Sequence, residues 1–595
     1  MKRVMALAIT LTLCAFAAQA QQSTATATAK TTKRKSVPKT DPAVAAQLNE
    51  LKQAVDAQQQ QIRQLSDQVQ SRDQQIQQLQ QRLDESQAVA TQAQSKADNA
   101  AAQSAEQQQT VTTLKNDVAD LKSNNTNAAL SLQETQKTIS GLESPLAIHY
   151  KGVTLTPGGF MDLTSIFRTT NVGSGIGTSF GSIPFNNTFP QAALTESRFS
   201  AQNSRLSLKA NGKFGETDVT AYVESDFLGF QPPNANQTSN SDSFRLRLYF
   251  ADLKRHKLEV QGGQMWTWMT PNRVGLSPMP SDIFYTQNMD TNYQVGLTWA
   301  RQTAFRVAYH PTNWWAFGVS IENPEQFVPS SVALPNSTFT SQFDNGSGST
   351  SASSSGTNPA TPNLHPDIIV KTAFDWKLGG KAMHVEAAGL GRSFKVYNNL
   401  VTPGTTNAIT GGGGSVNVNL ELIKNLHVIG NSFYSCGGGR YIFGLGPDVI
   451  VKSDGKLSCV HSGSGIGGFE WQTAPKFMVY SYYGGAYYQR NFDFIPVGSG
   501  STPNGTPCPA AAPPAGFNCV GFGFLGSSTS ANRAIQEGTI GFIPTLWTSP
   551  KYGKLQLITQ YSYLTRAPWY VNVASASPKN AHTSLVYVDL RYALP

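Results

Sequence analysis

The chain has 595 residues, of which only 14% are charged, and it contains 51 glycines. A soluble globular domain carries about a quarter charged residues, so the composition is atypical of one. The formal net charge of +9 is spread along the sequence. It forms no basic patch apart from the short run at residues 33–39, and nucleic-acid binding therefore has little compositional support.

The N-terminal segment, residues 1–20, has the pattern of a secretory signal peptide. Lys2 and Arg3 give it a positive start, residues 4–16 form the apolar stretch, and a small-residue cleavage site ends at Ala20. Cys14 follows a leucine, where a lipoprotein signal requires a small residue. We therefore expect Cys14 to be removed rather than lipidated, and the mature chain to be exported.

A coiled coil is predicted for residues 44–145, after a flexible basic leader at residues 21–43. Apolar residues recur with a strict 3.5-residue period, and a period held over so many heptads requires a supercoiled partner helix. The first a positions of this frame are Leu48, Val55, Ile62, Val69, Ile76 and Leu83. Polar residues at some d positions, such as Gln58 and Arg72, weaken the seam. The predicted role of the helix is to set register and oligomer number.

From residue 148 to the end the apolar period changes from 3.5 to two, which predicts β-strands. No apolar run after the signal peptide reaches the roughly 18 residues of a transmembrane helix. In one segment Phe244, Leu246, Leu248 and Phe250 alternate with Arg245, Arg247 and Tyr249. The same alternation places Arg205 and Lys209 opposite leucines, and Glu224 and Asp226 opposite valine and phenylalanine.

Such alternation fits either a soluble β-sandwich or a transmembrane barrel. Three features favour the barrel: strands of about 10 residues, connections that alternate between tight turns and long loops, and aromatic residues at strand ends. Residues 377–381 are a tight turn and residues 324–365 a long loop. The strand-end tryptophans are Trp266, Trp268, Trp314, Trp315 and Trp376. Residues 148–595 then accommodate about 16 antiparallel strands, enough to enclose a water-filled channel.

In a channel, the charged side chains of the inner wall decide which ions pass. The candidate pore-lining residues are Arg205, Lys209, Arg245, Arg247 and Arg306, with the acids Glu224 and Asp226. The alternative is that these charges only solvate the wall or pair with one another. Basic residues modestly outnumber acidic ones in the barrel region, which favours anionic solutes.

A second candidate site is the long connection at residues 270–292, between the fifth and sixth predicted strands. It carries Arg273, Asp282 and Asp290. If this loop folds inward it narrows the channel as a constriction loop; the alternative is an ordinary exposed loop.

Four cysteines remain after the signal peptide, and an even number in an exported protein predicts two disulfides. We favour Cys436 with Cys459 and Cys508 with Cys519 because each pair is close in sequence. Two other connectivities and four free thiols are the alternatives.

The sequence has no catalytic, cofactor-binding or metal-binding motif in the structural context that such a motif requires. The run Gly463-Ser464-Gly465-Ile466-Gly467-Gly468 satisfies GxGxxG, but it leads into a strand-like segment where the nucleotide-binding fold requires a helix. We interpret it as a turn. The eight histidines lack HExxH or paired Cys/His spacing. An enzyme is therefore not predicted.

The order of parts and several short phrases resemble the DcaP-like trimeric outer-membrane porins. The phrases are residues 156–160 (TPGGF), 204–209 (SRLSLK), 244–247 (FRLR), 263–267 (GQMWT) and 322–325 (ENPE). The resemblance implies a homotrimer in the outer-membrane lipid, a periplasmic coiled coil, and passive uptake of small, often anionic solutes. It also implies insertion by the barrel-assembly machinery.

Two hypotheses from other classes remain open. In the first, the barrel is chiefly an anchor, and the leader and coiled coil tether the outer membrane to peptidoglycan. In the second, the chain is a trimeric adhesin; each adhesin chain contributes only a few strands after its coiled coil, whereas about 450 residues follow here, so we disfavour it.

Overall fold

The computed structural model describes residues 147–186, 190–229, 242–277, 284–287, 293–345, 361–443, 445–497, 506–507, 516–571 and 580–595. The predicted signal peptide, leader and coiled coil lie outside the described residues, as do Asp282, Asp290 and Cys508. Within the described residues, no helix is both long and apolar enough to cross a membrane.

The described part of the chain forms a barrel of 16 antiparallel strands. In chain order the strands are β1 Val153–Arg168, β2 Arg205–Phe214, β3 Thr217–Asp226, β4 Arg245–Arg255, β5 Leu258–Trp266, β6 Arg301–Tyr309, β7 Trp315–Glu322, β8 Asp367–Leu378, β9 Lys381–Asn398, β10 Thr405–Ile423, β11 Leu426–Cys436, β12 His461–Ala474, β13 Phe477–Tyr488, β14 Asn532–Ser549, β15 Gly553–Pro568 and β16 Ala581–Ala593. The prediction of about 16 strands is confirmed.

Each strand pairs with its neighbours in sequence, and β1 pairs with β16 to close the cylinder. This closure runs from Phe160 opposite Ala593 to Arg168 opposite Leu585. β2 pairs with the first half of β1, and a short strand before it, Glu196–Ser200, pairs with the second half. These two segments therefore share one position in the barrel. Closure leaves no unpaired sheet edge facing lipid.

The outer face of the barrel is apolar. Along β7 the exposed residues are Phe317, Val319 and Ile321, and they alternate with buried Gly318 and Ser320. In a soluble protein such side chains would be buried, but on the outside of a membrane barrel they contact lipid. At the turn end of β7 and β8, Trp315 stacks on Phe374 with ring centroids 6.2 Å apart.

Two of the predicted strand-end tryptophans do not face lipid. Trp268 is only 2% exposed and packs inside the barrel in the main apolar cluster, and Trp266 is partly buried against the same cluster. Trp314 and Trp376 are exposed as predicted. The first pair lies at the end of β5, where the chain turns into the interior rather than along the membrane surface.

Strand β4 departs from simple alternation. Its register with β3 shifts between Glu224 and Ser225, which inserts one extra residue at Arg247. Arg247, Leu248 and Phe250 are buried, and Tyr249 is exposed. The predicted faces of Leu248, Phe250 and Tyr249 were therefore wrong, because a β-bulge reverses the alternation beyond it.

The connections differ in length at the two ends of the barrel. At one end they are tight turns; the turn between β8 and β9 uses Gly379 and Gly380 at φ 59° and 82°, a backbone conformation that glycine adopts most easily. At the other end they are mostly long. We call three of these long connections the inner loop (267–300), the fourth loop (323–366) and the sixth loop (437–460).

An apolar cluster occupies part of the interior. Wall residues such as Ile369, Ala373 and Ile466 are buried and pack against side chains from the long loops. The loop side chains of this cluster include Phe180, Leu276, Phe284, Val295, Val332, Phe339, Tyr441 and Ile450. The loops that carry these residues are therefore part of the packed structure.

The interpretation of residues 463–468 as a turn was wrong, because they lie within β12 and pair with β11 and β13.

Candidate functional site: the barrel lumen

Five of the seven predicted pore-lining residues meet on the inner face of β2, β3 and β4. Arg247 Nε lies 2.6 Å from Glu224 Oε1, and Arg247 Nη1 lies 2.8 Å from Asp226 Oδ2. Arg245 pairs with the same carboxylate of Asp226 at 2.6 and 2.9 Å, and Arg205 Nε lies 3.6 Å from Glu224 Oε1. Three guanidiniums thus share two carboxylates, and the cluster carries one net positive charge. We call these five residues the arginine network.

Burial within the arginine network is uneven. The side chain of Arg247 is 0% exposed, whereas that of Arg245 is 31% exposed. The five residues therefore pair with one another. Arg245 offers the most accessible charge in the network.

The other two predicted basic residues lie elsewhere on the wall. Lys209 is on β2 opposite Tyr222 of β3. Arg306 of β6 is buried and donates from Nε to Ser320 Oγ at 3.1 Å, and its Nη2 lies 3.2 Å from Glu322 Oε1. Arg306 is therefore bound to β7, where it supports the wall.

Arginines stack on aromatic rings along the same side of the barrel. The ring of Phe160 contacts both Arg205 and Arg591, whose guanidinium carbons are 5.2 and 4.3 Å from its centroid. Trp266 similarly contacts Arg247 and Arg301, each at 5.6 Å. Stacking restricts the orientation of these guanidiniums. Three of the four are also ion-paired: Arg205 and Arg247 within the arginine network, and Arg591 with Asp162 at 2.6 Å.

The inner loop leaves β5 and follows the inner wall. Trp268 N–H donates to Glu322 Oε1 of β7 at 3.0 Å, and Asn272 N–H donates to Glu386 Oε1 of β9 at 2.9 Å. Farther along, Arg273 forms two 2.6 Å hydrogen bonds with the carboxylate of Glu470 on β12.

The rest of the described inner loop continues to the far wall and returns. Gln287 N–H donates to Gln560 of β15 at 2.8 Å, and its side-chain oxygen accepts from Arg591 of β16 at 2.8 Å. On the return, Val295 N–H donates to Glu537 Oε2 of β14 at 3.0 Å. The described segments of this loop therefore lie inside the barrel.

Four titratable side chains of β8 and β9 hold the start of the inner loop; we call Lys371, Asp375, His384 and Glu386 the latch. Lys371 Nζ donates to Thr270 O at 3.0 Å and to Asn272 Oδ1 at 2.8 Å, and it pairs with Glu386 Oε1 at 2.9 Å.

His384 completes the latch by joining its two acids. Its Nδ1 lies 2.7 Å from Asp375 Oδ1 and its Nε2 lies 3.4 Å from Glu386 Oε2. Asp375 in turn accepts the N–H of Gly275 at 3.1 Å. Both acids of the latch thus bind the backbone of the inner loop.

A second buried cluster fixes the fourth and sixth loops. Arg392 of β9 lies 3.0 Å from Asp367 Oδ2 and 2.9 Å from Asp448 Oδ1, and all three side chains are 0% exposed. Arg392 also donates to the carbonyl oxygens of Glu325 and Gly437. One guanidinium therefore ties the wall to both loops.

The sixth loop is also closed covalently. Cys436, at the end of β11, forms a disulfide with Cys459, 23 residues later. Cys519 is disulfide-bonded as well; its predicted partner, Cys508, lies outside the described residues. Within the part of the chain that the structure describes, Cys436, Cys459 and His461 are close enough to suggest a metal site. Because both sulfur atoms are already bonded, this cluster does not provide one.

Sequence reasoning missed the latch and the Arg392 cluster. Lys371 and Asp375 are four residues apart and so share a face of β8, and His384 and Glu386 are two apart on β9. That spacing is visible in the sequence. Their partners are loop backbone atoms about 100 residues away in the chain, and no local pattern connects them.

Comparison with solved structures identifies the fold. The crystal structure of the outer-membrane channel DcaP of Acinetobacter baumannii aligns with a TM-score of 0.51 at 14% identity, covering 75% of this chain and 99% of that one. OmpT of Vibrio cholerae aligns at 0.37 and 11% identity, covering 75% and 99%. An anion-selective porin from Comamonas acidovorans aligns at 0.37 and 11% identity, covering 74% and 100%.

Neither a protein-family model nor a curated protein matches the sequence. The likeness to DcaP confirms the predicted resemblance at the level of the fold, which is that of an outer-membrane channel.

Proposed function

We propose that this chain is an outer-membrane porin that lets small hydrophilic solutes diffuse passively, with a modest preference for anions. One observation carries the proposal: a closed barrel has an apolar outer face and a charged inner face. An apolar band matches the hydrocarbon core of a membrane, and a charged wall suits a path for water and ions. The DcaP-like fold supports the same conclusion.

The arginine network supports the preference for anions. Its three guanidiniums exceed its two carboxylates by one charge, and that excess attracts anions more than cations. Because most of these groups are paired, the preference is modest. Arg245 contributes most, since it is the most exposed member.

We assign the inner loop, with Arg273, to the role of constriction loop. Its described segments occupy part of the lumen cross-section and are held by hydrogen bonds from β7 to β16. Solutes must pass the space that this loop leaves open. Asp282 and Asp290 belong to the same connection in the sequence.

We further infer that the signal peptide at residues 1–20 directs export and that the coiled coil at residues 44–145 lies in the periplasm. The heptads of that segment favour assembly with other copies of the chain, and we propose a homotrimer. Chemical cross-linking of the purified protein, with and without residues 44–145, tests this assembly.

Single-channel recording in planar bilayers, with the reversal potential measured under a salt gradient, tests the proposed function. We expect stepwise openings and a reversal potential that indicates anion preference. Arg245→Gln leaves the arginine network neutral, so it should move the reversal potential toward that of a non-selective pore. Lys377→Gln, which removes an exposed charge beside a tight turn, is the control. Silent insertion of folded protein would refute the porin function.

A further inference from the structure

We infer that a pocket between the fourth and sixth loops is a binding subsite for small zwitterionic solutes, which carry one ammonium group and one carboxylate. The inference rests on the proposed function and names a class of solute for it. The pocket has a volume of 310 Å³ and is lined by Gln302, Glu325, Phe327, Asp344 and Arg440. Gln302 belongs to β6 near the long-loop end of the barrel, so the subsite lies on that side.

Arg440 provides the anion-binding group. Its side chain is only 8% exposed, and Nη2 donates to Asn323 O at 3.1 Å and lies 4.0 Å from Asp367 Oδ2. Nη1 is buried and has no hydrogen-bond partner among the described residues. Arg440 is the basic residue among those that line the pocket, so its guanidinium is the group with which a carboxylate of the solute would form charge-assisted hydrogen bonds. The guanidinium also stacks on Tyr441 at 5.1 Å, which restricts its orientation.

Glu325 and Asp344 provide the cation-binding side. Both carboxylates border the same pocket as Arg440. The pocket therefore carries two negative charges and one positive charge. A dianion would be repelled by the two carboxylates, and a dication would be repelled by the guanidinium of Arg440. A solute with both an ammonium and a carboxylate matches the two sides at once.

The walls of the pocket are fixed before any solute binds. Asp448 accepts the N–H of Phe327 at 2.9 Å and the N–H of Arg440 at 2.9 Å, so one carboxylate positions two lining residues. Arg392 pairs with Asp448 and also donates to the carbonyl oxygen of Glu325.

The other side of the pocket is held in the same way. The backbone of Asp344 is tied to the pocket wall, because its N–H donates to Gln326 O at 3.1 Å and its carbonyl accepts the N–H of Val328 at 2.8 Å. Preorganisation of this kind lowers the cost of ordering a site when a ligand binds.

Calorimetric titration of the purified full-length protein in detergent tests the inference with three four-carbon probes. These are 4-aminobutyrate, the dianion succinate and the dication 1,4-diaminobutane. We expect 4-aminobutyrate to bind most tightly. Arg440→Gln and Glu325→Gln should each weaken its binding about tenfold or more, because each removes one charge partner. Arg533→Gln, at an exposed arginine outside the pocket, should leave the affinity unchanged.

The same preparations are recorded in planar bilayers, so that the two proposals are tested separately. Channels that conduct but bind no 4-aminobutyrate, or bind succinate or 1,4-diaminobutane better, would overturn the zwitterion subsite and leave the porin function standing. Binding of 4-aminobutyrate to a silent barrel would do the reverse. If Arg440→Gln fails to fold, Glu325→Gln still tests the subsite through its cation-binding side, and an unchanged affinity for 4-aminobutyrate would overturn the inference.

Discussion

Breaking the latch should release the start of the inner loop and widen the passage. The substitution is Lys371→Met, which keeps the length and apolar stem of the side chain and removes its charge. It deletes the two hydrogen bonds from Nζ to Thr270 and Asn272 and leaves Glu386 without its 2.9 Å ion-pair partner.

The size of the effect follows from the hydrogen bonds that are lost. The Lys371–Glu386 pair lies within the wall, so docking of the loop depends on the two hydrogen bonds that Lys371 Nζ donates to it. Hydrogen bonds of a charged group contribute about 1.5–3 kcal/mol each, or about 3–6 kcal/mol for the two. Glu386 keeps its contacts with His384, the N–H of Asn272 and the amide of Asn417, so we expect the lower end of that range. About 3 kcal/mol corresponds to roughly a hundredfold shift in the equilibrium between the docked and released segment.

Two measurements report the release. Single-channel conductance should rise or fluctuate between levels. In intact proteoliposomes, trypsin should cleave the Lys371→Met protein after Arg273 faster than it cleaves the wild-type protein. Lys377→Met is the matched control, since it removes a lysine from the same strand at an exposed position. If Lys371→Met matches the wild type in both conductance and cleavage, the latch does not hold the loop.

Three further predictions concern the loops. Arg392→Met should lower the free energy of unfolding by about 3–5 kcal/mol, because it strands two buried carboxylates; urea titration followed by tryptophan fluorescence measures this. Burial raises the pKa of Glu325, so affinity for 4-aminobutyrate should fall on mild acidification as the carboxylate is protonated, and Glu325→Gln should abolish that pH dependence. Removing the Cys436–Cys459 disulfide should cost about 3 kcal/mol for a loop of this length and speed tryptic cleavage at Lys452, whereas unchanged cleavage would show that packing alone holds the loop.

The barrel was predictable because its physical requirements are local. Period-two alternation follows from a wall that has lipid on one side and polar groups on the other, and alternating turn and loop lengths follow from strands that cross a membrane. Arg205, Glu224 and Asp226 were assigned to the inner face by this rule, and they lie there together. The alternation rule failed at the β-bulge beside Arg247, because the extra residue there reverses the faces of the residues beyond it.

The loop interior was not predictable by the same reasoning. The fourth and sixth loops contain apolar residues such as Val332, Phe339 and Ile450, which would be unusual in fully solvated connections. Their apolar character predicts that these loop residues are buried, but it does not indicate which part of the barrel they pack against. The partners of Arg392 come from three segments of the chain, namely β8, the fourth loop and the sixth loop, and only the closed barrel brings those segments together.

These loops belong to the fold, and that limits how the channel can be altered. The wall residues Ile369, Ala373 and Ile466 are buried only because loop side chains cover them. Deleting the inner loop would expose this apolar wall to water, which costs about 25 cal/mol for each Å² of apolar surface. It would also leave Lys371 and Glu386 without their hydrogen-bond partners in the loop. The main effect of such a deletion should therefore be a lower yield of folded protein rather than a wider pore. A single substitution in the latch therefore gives the sharper test of whether the inner loop controls permeation, because it frees one segment and leaves the apolar cover in place.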